Sequence, residues 1–222
     1  MQSVKPLVVA VLVLAAPRPL TAQHSDRGRP TPLAGFDAYV AKAAHDWRVP
    51  GLAVAIVHGD TVVFAKGYGV RRIGHPELVD THTLFAVGST TKAMTAALMG
   101  MLVDSGRVRW DDEVVAHMPE FRVADPYITR EMTVRDLLTH RGGIPNTDFL
   151  WDDTAATYQD ILARLPFVRP GYSLRSQFVY QNVMYATAGH IESTLAGSSW
   201  DALLRRRILD PLGMVETKTS TH

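Results

Sequence analysis

Residues 88–100 read GSTTKAMTAALMG, and the apolar run continues through Val103. Met94–Val103 is apolar nearly all round, which predicts a buried helix, and Gly106 is placed to end it. The front of the run is different: Gly88, Ser89, Thr90, Thr91 and Lys92 are small or polar. On a helix, residues i and i+3 share a face, so the Lys92 amine can reach the Ser89 hydroxyl. Two readings follow. In one, Ser89 simply caps the helix, as serine prefers to do. Alternatively it is a nucleophile, activated when a neighbour takes its proton. Lys92 can take that proton only if neutral, which requires burial or a nearby cation to lower a pKa that is ordinarily about 10.4. A helix N-terminus would favour an oxyanion beside Ser89. A serine three residues before a lysine is expected roughly once by chance in such a chain, so the tetrad needs partners.

Working outward, Phe36, Tyr39, Val40, Ala43, Ala44 and Trp47 recur at helical spacing and stop before Pro50-Gly51. LAVAIV (52–57) and TVVFAKGYG (61–69) read as two strands joined by a tight turn at His58–Asp60. Further helices are predicted over 133–140, with Thr133 as N-cap, and over 157–165, 183–197 and 199–213. Little strand is legible after residue 70, and a lone hairpin is marginal. Residues 214–222 have no regular pattern.

Bulk composition excludes several classes. The 222 residues are 46% hydrophobic with a formal net charge of +1, enough for a core and without a basic stripe for nucleic acid. There are no cysteines, hence no disulfide, thiolate metal site or cysteine nucleophile. Lys5 followed by the apolar run Leu7–Ala16 and the small Ala22 predicts a signal peptide over 1–22, cleaved after Ala22. The protein is therefore expected to be secreted or periplasmic. The apolar run is too short for a stable membrane span, which needs about 20 residues. A disordered leader over 23–34 and one folded segment over 35–222 complete the expected organisation, with a helix and strand pair at 35–80 and a helical region at 84–213.

Candidate partners for Ser89 lie in FVYQNVMYATAGH (178–190). Tyr180 and Asn182 are two apart, and in extended chain both side chains point to one side. A phenol able to exchange a proton and an amide able to donate and accept would then face one cleft. A buried tyrosine beside a helix-capping asparagine fits the same residues.

Ser89-Thr90-Thr91-Lys92 followed some ninety residues later by Tyr180-Gln181-Asn182 resembles the penicillin-recognising serine hydrolases. The likeness is to their class C β-lactamase-like branch, with D-alanyl-D-alanine carboxypeptidases, D-aminopeptidases and esterases. VPGLAVAIVHGDTVVFAKGYG (49–69) looks like that family's opening strand pair, and FAVGSTTKAMTAALMGMLVDSGRVRWDDEV (85–114) like its nucleophile helix. MTVRDLLTHRGGIP (132–145) is similar to the family's LLTHTSGLP segment, with Arg141-Gly142 in place of Thr-Ser, and ILDPLGM (208–214) resembles a later landmark. The resemblance implies an α/β (α+β), β-lactamase/transpeptidase-like fold, an antiparallel sheet flanked by helices with an inserted all-helical domain. It implies Ser89 as the acylated nucleophile, with Lys92 relaying its proton. Tyr180 would be base and then acid, Asn182 would hold the substrate amide, and the Ser89 backbone N–H would be half an oxyanion hole. No cofactor or metal is implied. The substrate would be a small ester, a D-amino-acid peptide such as a cell-wall peptide, or a β-lactam. Oligomeric state is left open.

The family's third motif, Lys-Thr-Gly or His-x-Gly, lies on a later strand. Lys218-Thr219-Ser220 is not it, because nothing around it alternates as a strand does. The later sheet strands are thus expected to be absent from this chain, which reads as a truncated hydrolase. The alternative is a non-catalytic binder of peptidoglycan-like peptides or an inactive fragment. His140, before a glycine turn, reads as a local hydrogen-bonding residue. The acid pairs 111–112 and 152–153 read as turn and cap acids, and Arg205–Arg207 as a solvated helix face.

Overall fold

A computed structural model of the protein describes residues 33–151 and 156–220. The expected signal peptide, residues 23–32 of the expected leader and the acid pair at 152–153 lie outside the described residues. The chain divides into two compact units, one through Thr81 and one from His82.

In the first unit, Gly35 (φ +81) precedes helix α1, Phe36–Asp46. Strands β1 (Gly51–His58) and β2 (Thr61–Gly69) pair antiparallel, from Gly51 opposite Gly69 to His58 opposite Thr61, with a bulge between Ile56 and Val57. Gly59 and Asp60 turn the chain with φ of 44° and 43°, the positive-φ pair that suits the right-handed twist of a two-residue hairpin. Asp37 ties α1 to β2, accepting from Lys66 Nζ and the Tyr68 hydroxyl, each at 2.8 Å. Phe36 meets Phe64 edge-on at 5.2 Å. After β2 the chain doubles back so closely that a Cβ on Gly67 would stand 2.3 Å from the Val79 carbonyl oxygen. Glycine is required there by contact.

The second unit is helical. A 3₁₀ turn, Gly88–Thr90, leads into α2, Thr91–Asp104. Short helices α3 (Val114–His117), α4 (Pro126–Glu131) and α5 (Val134–Thr139) follow, then α6 (Tyr158–Arg164), α7 (Asn182–Ala196) and α8 (Trp200–Leu204). The chain runs on from α8 through a π-helical turn, Arg205–Leu209. Capping boxes start two of these helices. Thr133 and Asp136 serve α5, and Thr157 and Asp160 serve α6, each pair satisfying backbone donors reciprocally. Asp125 accepts from Tyr127 and Ile128 amides at the start of α4, with Pro126 in the first helical position.

The apolar character of α2 has a specific cause. Met99 and Leu102 enter a core with Phe121, Leu137, Met184 and Ile191, whereas Leu98 enters a second cluster with Leu203, Leu204 and Leu209. Because successive helical residues are about 100° apart, a helix serving two clusters must be apolar over most of its circumference. The sequence pattern over Met94–Val103 predicts burial nearly all round, but Ala97 remains exposed. Among the described residues after Gly69 there is no further strand; the sheet is two-stranded, and Lys218–Ser220 is not extended sheet.

Candidate active site

Ser89 sits within the 3₁₀ turn, one residue after Gly88 (φ +50). Neither that turn nor α2 is capped by a side chain; α2 has Thr90 at its N-cap, and the Thr90 hydroxyl bonds back to the Val87 carbonyl. The capping reading of Ser89 is thus set aside. Its hydroxyl is spent on side chains instead.

Lys92, in the first turn of α2, donates from Nζ to Ser89 Oγ at 3.1 Å and to Asn182 Oδ1 at 2.7 Å. The same ammonium lies 4.7 Å from the Tyr180 ring centroid and 5.4 Å from that of Tyr185. The Tyr180 hydroxyl is 2.5 Å from Ser89 Oγ. Hydrogen bonding by Lys92, and then by Ser89, holds the Tyr180 phenol below its ordinary pKa of 10.0. An ammonium beside a phenol favours the phenolate, which is the form able to accept a proton.

Tyr180 and Asn182 reach this point because Gln181 between them is extended, with φ −136° and ψ 120°. Alternation sends the two outer side chains one way and Gln181 the other. Gln181 is buried, donating to the Ile144 and Pro145 carbonyls and accepting from Thr147 Oγ1. Asn182 is the first residue of α7 and caps nothing. Its Nδ2 donates to Asp148 Oδ1 at 2.9 Å, which orients the amide with Oδ1 towards Lys92. Asp148 is itself set by Asn146, whose side-chain oxygen accepts from the Asp148 amide.

The four residues named from sequence are therefore brought together. Others were not named, although they complete the arrangement. Tyr185 lies one turn beyond Asn182 and could be inferred from that spacing; its hydroxyl donates to the Leu138 carbonyl. Asp148 carries no sequence signal, being 34 residues from Asn182. His140 is a hydrogen-bonding residue as expected, but its side-chain partner is not local. It accepts from the Gln181 amide, 41 residues away. A cavity of about 550 Å³ borders Ser89, Lys92 and Tyr185 and runs along α7 past Ala186 and Gly189 to Trp200. Among the described residues no group of three or more histidine and carboxylate side chains is arranged to hold a metal ion, and no helix is long and apolar enough to cross a membrane.

The β-lactamase family model matches residues 36–222, so the chain belongs to the β-lactamase family. The helices and antiparallel hairpin are those of a β-lactamase/transpeptidase-like fold. An unguisins hydrolase of Aspergillus violaceofuscus is 36% identical over 197 residues, covering 84% of this chain and 35% of that protein. Penicillin-binding protein 4 of Amycolatopsis lactamdurans is 37% identical over 177 residues, covering 77% and 45%. The solved octameric penicillin-binding protein homologue from Pyrococcus abyssi superposes with a TM-score of 0.72 at 25% identity, over 83% of this chain and 44% of that one. The chain spans less than half the length of these curated relatives.

Proposed function

We propose that this chain carries the nucleophile and acid–base residues of a serine hydrolase that works through an acyl-enzyme at Ser89. The observation that carries this reading is the shared contact of one hydroxyl: Ser89 Oγ lies 2.5 Å from the Tyr180 phenol and 3.1 Å from the Lys92 ammonium. A base must be within hydrogen-bond reach of the proton it takes. Tyr180, its phenolate favoured by Lys92, accepts the Ser89 proton as Oγ bonds to the substrate carbonyl carbon. Collapse of the tetrahedral adduct expels the leaving group, which takes the proton back from Tyr180. Water then attacks the ester carbonyl, giving a proton to Tyr180, and collapse breaks the bond to Oγ, which takes that proton back from Tyr180 and frees Ser89.

Lys92 donates to Ser89 Oγ and Asn182 Oδ1 and so holds the hydroxyl and the amide in place. Asn182 spends Oδ1 on Lys92 and one N–H on Asp148, so its second N–H is left for a substrate carbonyl. In this reading the Ser89 amide, in the first turn of a helical segment where amides have no intrahelical acceptor, donates to the oxyanion; losing such a donor elsewhere costs about 100- to 1000-fold in rate. The names of the relatives, a hydrolase and a penicillin-binding protein, support a small acyl substrate, which we take to be an ester, a peptide or a β-lactam. The test is covalent labelling by a fluorophosphonate or penicillin, followed by intact-mass measurement. One adduct per chain, absent in Ser89→Ala, is expected. No adduct on well-folded protein would sink the proposal and favour a non-catalytic binder.

A further inference from the structure

His140 ends α5 with φ +58 and ψ +31, in the left-handed region. It is buried, and its ring is stacked at a tilt on Tyr180 (4.6 Å) and Tyr185 (5.2 Å), with Phe178 against its edge at 5.3 Å. Two hydrogen bonds join it to the segment that carries Tyr180. The Val179 amide donates to the His140 carbonyl at 2.7 Å, and the Gln181 amide donates to His140 Nδ1 at 3.0 Å. A backbone N–H can only donate, so Nδ1 must be the unprotonated nitrogen. Tyr180 lies between these two clamped amides.

We infer that His140 is a positioning residue for Tyr180: its neutral ring holds residues 179–181 extended, with the phenol at Ser89, and protonation of Nδ1 releases that hold. The inference rests on the acyl-enzyme reading for its consequence in rate, and on geometry alone for the clamp. A second proton on the ring would set N–H against N–H and leave the buried Gln181 amide without an acceptor, an expensive arrangement. The groups that face the ring are Lys92 from α2, Tyr180 from the extended segment and Tyr185 from α7. Burial first, and then the charge of Lys92, push the His140 pKa below its ordinary 6.5, so the ring stays neutral at neutral pH. The hold is therefore present at higher pH and is lost as pH falls through the depressed histidine pKa.

Asparagine separates the roles. It is tolerated in left-handed backbone, its Oδ1 can stand where Nδ1 does, and it does not titrate. Acylation of the full chain by a fluorophosphonate, followed across pH, should give His140→Asn a rate near wild type at high pH. Below the histidine midpoint the wild type should lose about a further tenfold per pH unit, while His140→Asn should not. Parallel profiles would overturn the inference. His140→Ala, which has no acceptor, should acylate at least about tenfold more slowly than wild type above the histidine midpoint and approach it below, and an unchanged rate above the midpoint would also overturn it. In ¹⁵N-labelled wild-type protein, the Gln181 amide should shift with the same midpoint as the His140 ring protons. A Gln181 amide that stays fixed while His140 titrates would refute the clamp. If no probe labels Ser89, the reaction reading falls, and the Gln181 titration still decides whether the clamp exists.

Discussion

Every residue of β1 and β2 keeps some exposure to solvent, whereas α2, α5 and α7 each carry fully buried side chains. The hairpin unit is ordered by ladder hydrogen bonds, a two-residue turn and the Asp37 tie to Lys66 and Tyr68; Val57, Val62 and Val63 stand exposed. The helical unit is ordered by side-chain packing around Met99, Leu137, Met184 and Ile191. The contrast bears on where chemistry can be built. Contacts of 2.5–3.1 Å among Ser89, Lys92, Tyr180 and Asn182 need backbones that cannot drift, and dense interiors resist drift. All four residues sit on segments continuous with buried helix faces.

The sharpest way to break this contrast is at the site. Lys92→Met should slow Ser89 acylation by about 100-fold or more, because Tyr180 loses the ammonium that favours its phenolate. The residual rate should require higher pH, since the Tyr180 pKa rises once that partner is gone. Labelling kinetics across pH would check both, and a slowing of less than about tenfold would show that the packed arrangement does not supply the base.

A second change probes the interior of the helical unit. Glu192 on α7 is fully buried; Trp200 Nε1 donates to one carboxyl oxygen at 3.1 Å, and the other has no hydrogen-bond partner. Burial pushes its pKa from 4.5 up to about 8. The folded state therefore holds a proton that the unfolded chain releases, and stability should fall as pH rises between those values, by up to about 1.4 kcal/mol per pH unit. Glu192→Gln should flatten that slope. Urea midpoints at several pH values would measure it, and an unaltered slope would assign the effect elsewhere.

A last pair of variants compares the units directly, and it contains the smallest effect. Ile191→Ala should cost about 2–5 kcal/mol through a cavity in the core. Val62→Ala, on the exposed hairpin face, should stay within about 0.5 kcal/mol. Denaturant unfolding of the two variants would sharpen the contrast, and similar losses would erase it.

Legibility in the sequence follows the range of the forces involved. Thr133 and Thr157 could be read as helix starts because their capping partners Asp136 and Asp160 are three residues away. The hairpin could be read because its turn and its two short apolar runs are local. Helices α3 and α4 were not read: α3 is a single turn with little periodicity, although Asp125-Pro126 is a usable start signal for α4. The spacing of Ser89 and Lys92 followed from helical geometry. Tyr185 is reachable by the same spacing argument from Asn182, but the placement of Asp148 and His140 is not, because their partners lie on other elements.

The sequence by itself determined the local grammar of this protein and its family motifs, since caps, turns and side-chain alternation depend on residues a few positions apart. Only the tertiary structure decided that Asp148 turns the Asn182 amide, that Tyr185 flanks the Lys92 ammonium, and that His140 accepts from the Gln181 amide beside Tyr180. The physical reason is that these contacts join residues 34, 93 and 41 positions apart. Nothing in the chain encodes such contacts until packing of α2, α5 and α7 brings their ends to one place.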